Sequence, residues 1–330
     1  MGGLIAVERN VKPDMRVFPD ANELSLRAAE AVSRTINDAV RSTGRCSLVL
    51  SGGSTPRTLY GLLASRLREQ IPWAQVHVFW GDERYVRPDD PHSNYRMAKE
   101  TLLDQVPCPA ANVHPMPTHL SDANAAARDY EATVRSYFAG KPPKFDLVLL
   151  GLGPEGHTAS LFPESPALAE PTRWVLAVTV PADPPLRLTL TFPALNRAAN
   201  AYFLVTGSNK ARALHHILTG TADPHVFPAA GVRLGSGTLI WWVDRDAAAQ
   251  PVDPDLHKDA IQDDRPDDEQ QGNPNVPALD DDGLPAKLTV IAEDRIGRGC
   301  DASGQPANDE IPGGTSHGTQ DVGRPISGYR

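Results

Sequence analysis

The chain has 330 residues and a formal net charge of −9, and this length allows one large domain or two modest ones. Residues 251–330 hold 17 acidic and 7 basic side chains, against 24 and 25 in the rest, so the body lacks the basic excess typical of nucleic-acid binding. Three widely spaced cysteines form neither a disulfide framework nor a metal motif. No apolar run approaches the ~20 residues of a membrane span. We therefore expect a cytoplasmic protein without membrane or nucleic-acid partners.

Strand-like and helical patterns alternate along the first 250 residues. The helical patterns cover residues 22–43, 56–68, 93–103, 121–139 and 208–219. The strand-like runs are 46–51, 76–80, 145–151, 174–180, 187–191, 201–206 and 238–243. Several of these runs are continuously apolar, as in strands covered on both faces. The alternation predicts an α/β, doubly wound fold over residues 1–250, with a mostly parallel sheet flanked by helices in a Rossmann-like three-layer sandwich.

The composition changes after residue 250. Residues 251–286 are rich in Asp, Pro, Gln and Asn, and residues 299–330 are rich in Gly and polar side chains. Such segments bury too little apolar surface to offset the entropy of ordering the chain. We therefore expect residues 251–330 to form an acidic, mostly disordered tail. Its role is open, and the apolar patch from Leu288 to Ile291 is its candidate docking segment for a protein partner.

The first glycine-rich turn follows the apolar run at 46–51 and precedes a helical pattern. It consists of Ser51, Gly52, Gly53, Ser54 and Thr55. Free backbone N–H groups at a helix N-terminus favour a phosphate, so this turn predicts an anion site. The Gly-Lys-Ser/Thr ending of a P-loop is absent. An ordinary turn capped by a Ser or Thr hydroxyl is the alternative.

The segment after the strand at 76–80 places charges at the same edge of the predicted sheet. Arg84 follows the strand at 76–80 and could hold a phosphate or carboxylate bidentately. Asp82 or Glu83 could position Arg84 or contact a sugar hydroxyl, although an ion-paired loop explains Glu83 equally well. Asn94 is interpreted as part of a helix cap.

Lys210 lies in the first turn of the helix predicted at 208–219. A cation there is unfavourable against the helix dipole unless an anion binds. Arg187 could reach the same cleft or be a solvated charge at a strand end. His215 and His216 point in different directions on one helix, and no other spacing resembles a zinc site, so we expect no metal.

Residues 151–157 place a histidine directly after a glycine-rich turn. Residues 151–156 match G-x-G-x-x-G, but Pro163 and Pro166 interrupt the long helix that a dinucleotide site requires. A dinucleotide site is therefore disfavoured, and a solvent-facing histidine is the plain alternative. We predict that His157 lies at the mouth of a cleft and transfers protons, since an unperturbed imidazole titrates near ~6.5.

Taken together, these motifs resemble the 6-phosphogluconolactonase family. The matching segments, in chain order, are LSGGSTPRTLYGLL (50–63), FWGDERYV (79–86), SNYRMAKETLL (93–103), FDLVLLGLGPEGHTASLFP (145–163), RLTLTFPALNRA (187–198) and VTGSNKA (205–211). The resemblance covers residues ~10–250. It departs from the family at Glu155, where Asp is usual.

The resemblance implies hydrolysis of 6-phospho-D-glucono-1,5-lactone in the oxidative pentose phosphate pathway, without a cofactor or a required metal. It implies that His157 is the general base that activates water. If turnover survives the loss of His157, Asp82 and Glu155 are the next candidates for that role. The phosphate would be held by the 51–55 loop with Arg84, Arg187 and Lys210. Backbone N–H groups of the 151–157 turn are the natural oxyanion donors.

Two rival functions stay open. Glucosamine-6-phosphate deaminase or isomerase has a similar fold and phosphate loop, but its glycine-histidine turn typically continues as Ile-Ala-Phe-Asn-Glu and its earlier motif is Asp-Glu-Tyr. This chain has Thr-Ala-Ser-Leu-Phe-Pro and Asp82-Glu83-Arg84 instead. The other rival is a sugar-phosphate sensor that binds without catalysis and uses the tail to contact a partner.

Overall fold

A computed structural model describes residues 14–220 and 222–249 of the chain. The predictions for the tail at 251–330, including its disorder and its docking patch, lie outside these residues. The strands of the described part are β1 (Asp14–Phe18), β2 (Cys46–Leu50), β3 (Val76–Trp80), β4 (Asp82–Arg84), β5 (Leu147–Gly151), β6 (Val175–Thr179), β7 (Leu186–Leu190), β8 (Asn200–Val205) and β9 (Thr238–Asp244). Its α-helices are α1 (Ala21–Thr43), α2 (Ser54–Ser65), α3 (Asn94–Thr101), α4 (Ala123–Tyr137), α5 (Phe192–Leu195), α6 (Ala211–Leu218) and α7 (Arg245–Ala248).

Six strands form the main sheet in the order β1-β9-β8-β5-β2-β3. Every neighbouring pair in this sheet is parallel. All five residues of β2 are buried, as are the first four of β5, which matches the continuously apolar runs in the sequence. The predicted α/β fold with a parallel sheet flanked by helices is therefore confirmed.

A second, smaller sheet is antiparallel and has the order β4-β7-β6. The runs at 174–180 and 187–191 were predicted as strands of one mostly parallel sheet, and the structure pairs them with each other instead. The third strand, β4, begins two residues after β3 ends. The chain therefore passes from the main sheet directly into the small one, and this step brings the small sheet to the carboxyl edge of the main sheet.

Helix α1 illustrates how local chemistry sets the ends of these elements. The Asp20 side chain accepts hydrogen bonds from the backbone N–H groups of Asn22 and Glu23 and caps the N-terminus. Gly44 ends the helix in the left-handed conformation, with φ of 80°. Between these ends, α1 packs against β2 and β9 through an alanine-rich face.

The parallel strands leave their carboxyl ends at one edge of the sheet, where α/β proteins bind ligands. The carboxyl ends of β2, β3, β5 and β8 continue into the segments 51–55, 81–84, 151–157 and 206–210, of which the second contains β4. The four predicted site motifs therefore meet at this edge. In the part of the chain that the structure describes, no helix is long and apolar enough to cross a membrane.

Candidate active site

These four segments line a cleft of about 410 Å³, a volume within the usual range for small-molecule sites. Among the residues predicted for the site, those that line the cleft are Ser51, Gly52, Gly53, Ser54, Thr55, Asp82, Arg84, His157, Arg187 and Lys210. Glu155 is not a lining residue, but its carboxylate contacts the imidazole of His157. The structure thus brings together residues that are up to 159 positions apart in the chain.

The 51–55 loop presents the N-terminus of α2 to the cleft. Gly53 precedes the helix with φ of 113°, and no side chain of the described residues caps the helix, so the alternative of a turn capped by Ser or Thr is wrong. The Ser51 hydroxyl is buried without a hydrogen-bond partner among the described residues. Uncapped N–H groups and a free hydroxyl together are suited to an anion.

Arg84 and Arg187 lie directly opposite each other on β4 and β7. Arg187 is only 5% exposed, so its interpretation as a solvated strand-end charge is wrong. Its guanidinium donates to the backbone oxygens of Pro184 and Asp183. Burial, followed by the positive charge of Arg84, lowers the pKa of Arg187. Because two facing cations repel each other, an anion bound in the cleft would relieve this repulsion.

Arg84 keeps hydrogen-bonding capacity for a ligand. Its Nη1 donates to the backbone oxygen of His92 at 2.6 Å. Its Nε is buried and has no partner in the described part of the chain. An unpartnered buried donor is costly, so a bound anion is the natural acceptor for it.

Asp82 is held rigidly at the wall of the cleft. Its Oδ2 accepts a hydrogen bond from Ser160 Oγ at 2.7 Å, and Asn94 Nδ2 donates to the Asp82 backbone oxygen at 3.0 Å. Asn94 also lines the cleft, a role that the helix-cap interpretation missed, because the cap of α3 is Ser93. A Cβ on Gly52 would lie 2.0 Å from Asn94 Oδ1, so Gly52 leaves room for this amide.

Glu83 faces away from the cleft and binds the N-terminus of α3. Its carboxylate accepts hydrogen bonds from the backbone N–H groups of Arg84, Asn94 and Tyr95. Burial raises the pKa of Glu83 to about 7, while these hydrogen bonds act in the opposite direction. Glu83 makes no ion pair with a described residue, so the interpretation of an ion-paired loop is wrong. Its carboxylate instead binds the first backbone N–H groups of α3, where a negative charge is favourable.

His157 lies in the cleft with its side chain 26% exposed. Its Nδ1 is 3.0 Å from Glu155 Oε1. The ring stacks on Phe162 with centroids 4.0 Å apart. The contact with His157 is the main cause that lowers the pKa of Glu155. The imidazole is therefore held between an aromatic face and an anion.

The 151–157 turn closes on itself and opens no helix. Gly153 N donates to the His157 backbone oxygen at 2.8 Å, and Gly156 N donates to the Gly153 oxygen at 2.9 Å. These two amides are therefore occupied and are not free to act as oxyanion donors. The next regular element is a short 3₁₀ turn at Pro166–Ala169. The dinucleotide interpretation of this motif fails because its helix is missing.

Lys210 ends a 3₁₀ turn at Ser208–Lys210, directly before α6, and its side chain lines the cleft. Burial lowers the pKa of Lys210, and the negative charge of Glu155 opposes this effect. The Thr55 and Thr206 hydroxyls lie 2.7 Å apart and connect this turn to the 51–55 loop. Among residues 14–220 and 222–249, no group of three or more His, Cys, Asp or Glu side chains is placed to hold a metal ion.

This arrangement is an α/β fold whose cleft is lined by three cationic side chains and by the imidazole of His157. A family model described as glucosamine-6-phosphate isomerases/6-phosphogluconolactonase matches residues 19–241. A 6-phosphogluconolactonase of Synechocystis sp. is 45% identical over 238 residues, which cover 71% of this chain and 97% of the relative. A 6-phosphogluconolactonase of Mycobacterium tuberculosis is 43% identical over 243 residues, covering 72% and 97%.

Solved structures agree with the sequence relatives. The 6-phosphogluconolactonase from Trypanosoma cruzi superposes with a TM-score of 0.64 at 32% identity, over 72% of this chain and 96% of that one. The chain belongs to the glucosamine-6-phosphate isomerase/6-phosphogluconolactonase family.

Proposed function

We propose that this chain hydrolyses 6-phospho-D-glucono-1,5-lactone to 6-phospho-D-gluconate, the lactonase step of the oxidative pentose phosphate pathway. The observation that carries the proposal is the placement of His157, which lines the same cleft as Arg84, Arg187 and Lys210. A base beside a cluster of cations suits a substrate that joins a phosphate to a hydrolysable carbonyl.

The phosphate orients the substrate in this proposal. The uncapped N-terminus of α2, the Ser51 hydroxyl and the unpartnered Nε of Arg84 supply donors that suit phosphate oxygens. Lys210 and Arg187 add positive charge around them. Binding energy gained at the phosphate then holds the distant carbonyl in place for attack.

His157 acts as the general base in the proposed reaction. Its Nδ1 lies against Glu155, which favours the proton on that nitrogen and leaves Nε2 free to accept one. Nε2 takes a proton from water as the water oxygen attacks C1 of the lactone. The C1–O5 bond then breaks, and the imidazolium returns a proton to the ring oxygen, leaving the hydroxyl and the new carboxylic acid.

Glu155 and Asp82 have separate roles. Contact with His157 lowers the pKa of Glu155, so Glu155 stays anionic and stabilises the imidazolium. Asp82 already accepts from Ser160 and has lone pairs left for a hydroxyl of the substrate. Asp82 is therefore assigned to substrate recognition and not to proton abstraction.

The experiment that tests this function uses freshly prepared 6-phosphogluconolactone, with the rate corrected for spontaneous ring opening. We expect saturable hydrolysis by the wild-type protein and no release of ammonia from glucosamine 6-phosphate. Ammonia release without lactone hydrolysis would identify a deaminase. Binding of 6-phosphogluconate without either turnover would identify a sensor.

The domain assignment is part of the proposal, with the lactonase domain at 1–250 and a separate acidic tail at 251–330. Relatives align over 97% of their own length while covering only about 71–72% of this chain, and the family model ends at residue 241. We expect a variant truncated after residue 250 to keep the kcat of the full chain. A large loss of kcat in a folded truncation would contradict the assignment.

A further inference from the structure

We propose that Phe227 is a positioning residue for His157 and acts on it through Gly156. This inference rests on the proposed function, because it assigns His157 as the base. Phe227 belongs to a segment at residues 223–231, which follows α6 and which we call the support segment. No motif in the sequence points to this segment, yet it lies against the back of the 151–157 turn.

Phe227 packs directly on the backbone of Gly156. A Cβ built on Gly156 would lie 2.6 Å from Cδ1 of Phe227 and 3.1 Å from its Cα. Gly156 also has φ of 88°, a conformation that other residues rarely adopt. The aromatic ring thus occupies the space that a side chain would take, and it blocks movement of the turn away from the cleft.

Backbone hydrogen bonds fix the support segment at two points, one on the 151–157 turn and one at Glu164, beyond the end of that turn. Ala229 N donates to the Gly156 oxygen at 2.9 Å, and Glu164 N donates to the His225 oxygen at 2.9 Å. Phe227 lies between these two points in the chain. These hydrogen bonds therefore keep the Phe227 ring against Gly156, the residue immediately before His157.

Phe227 is itself held by two further contacts. Its ring stacks on His216 of α6 with centroids 4.9 Å apart, and its backbone N–H donates to the Asp223 oxygen at 2.8 Å. Val226, the neighbouring residue, is 50% exposed. Val226 is therefore a matched control for Phe227, because Phe227 packs on the turn and Val226 is half exposed to solvent.

The imidazole of His157 contacts Phe162, which lines the cleft, and Glu155, which does not, but these contacts only set the direction of the ring. The backbone that carries it is bounded by Phe227. Without the Phe227 ring, the 151–157 turn can shift away from the cleft. This shift moves Nε2 of His157 relative to the carbonyl of the bound lactone. Displacements of about 1 Å in a reacting group can cost up to ~10²-fold in rate.

The test compares Phe227→Ala with Val226→Ala in the full-length protein. We expect Phe227→Ala to lower kcat about 10- to 100-fold, with little change in KM or in the Kd for 6-phosphogluconate. Val226→Ala should leave all three unchanged. In histidine-labelled protein, the ring Cε1–H signal of His157, assigned by its absence in His157→Ala, should shift in Phe227→Ala only.

Phe227→Leu keeps much of the volume without the flat ring and should give an intermediate kcat. It also carries the test if thermal unfolding shows that Phe227→Ala does not fold. An unchanged kcat and an unshifted His157 signal in a folded variant would overturn the proposal, as would a rise in KM at constant kcat. If the wild-type protein lacks lactonase activity, the proposed function fails, but the NMR comparison still tests whether Phe227 positions His157.

Discussion

The carboxylate Oε1 of Glu155 lies 3.0 Å from Nδ1 of His157, two residues further along the same turn. The contact needs no distant part of the chain to form it, and Gly153 makes it possible, since a Cβ there would lie 2.0 Å from Nδ1. The contact places the anionic Glu155 beside Nδ1, which is the ring nitrogen that faces away from the reacting atoms in the proposed mechanism. The Glu155 side chain therefore supplies charge stabilisation to the imidazole and, together with the stacked ring of Phe162, orients it.

We expect Glu155→Gln to lower kcat about tenfold, because losing the anion costs on the order of 1.4 kcal/mol of imidazolium stabilisation. The expected loss of kcat is modest because the Glu155 side chain is 44% exposed and solvent screens its charge. Steady-state kinetics would measure kcat and KM. Glu155→Asp is the matched control and should keep most of the activity. Equal losses in both variants would mean that the charge of this residue is not what matters.

Asp82→Asn should raise KM about 10- to 100-fold with a small effect on kcat, because a charged hydrogen bond to the substrate is worth roughly 1.5–3 kcal/mol. The amide keeps the shape of the carboxylate beside Ser160. Kinetics on the lactone, together with Kd values for 6-phosphogluconate, separate binding from catalysis. A collapse of kcat at constant KM would instead make Asp82 the base.

Arg84→Ala should raise KM about 10- to 100-fold, since charge-assisted contacts to phosphate are among the stronger hydrogen bonds. Arg87 offers a control from the same stretch of chain, because its side chain is 84% exposed and pairs with Asp89. Arg87→Ala should leave KM unchanged. Parallel increases in KM for the two variants would indicate a general charge effect and contradict a specific phosphate contact.

Stability should fall in acid because of His114, which lies 3.3 Å from His77. Burial, assisted by the charge of His77, lowers the pKa of His114 from 6.5 to about 4. A depressed pKa in the folded state gives stability that is present above pH 6.5 and is lost as the pH falls towards 4. Urea unfolding should therefore show a shallower loss over this range for His114→Phe than for the wild type.

The exposed His119 supplies the control for this experiment. His119→Phe should follow the wild-type pH dependence of the free energy of unfolding. If His114→Phe follows it as well, His114 does not contribute to acid sensitivity.

The main elements could be predicted from the sequence because their signals are local. The buried strands are continuous apolar runs, and Gly44 marks the end of α1 as expected. Strand β4 could not be predicted in this way. Its three residues, Asp82, Glu83 and Arg84, are all charged, and only pairing with β7, about a hundred residues later, makes them a strand. Strand β1 was also missed, since its pairing is with β9 near the other end of the described chain.

The residues of the site also fall into those with a local signal in the sequence and those that depend on distant contacts. Motifs at strand ends reveal the 51–55 loop and His157, because the carboxyl edge of a parallel sheet gathers such turns. Asn94 and Phe227 have no comparable signal. Their roles depend on close approach to Gly52 and Gly156, and a contact between distant segments leaves no spacing in the sequence.

Whether His157 is the base of a lactonase is measured most directly by the hydrolysis of fresh 6-phosphogluconolactone by the wild type and by His157→Ala. We predict a loss of about 10²- to 10⁴-fold in kcat, with KM and the Kd for 6-phosphogluconate largely preserved. Circular dichroism and thermal unfolding would establish that the variant is folded. Turnover at the wild-type rate in a folded His157→Ala protein would contradict the account.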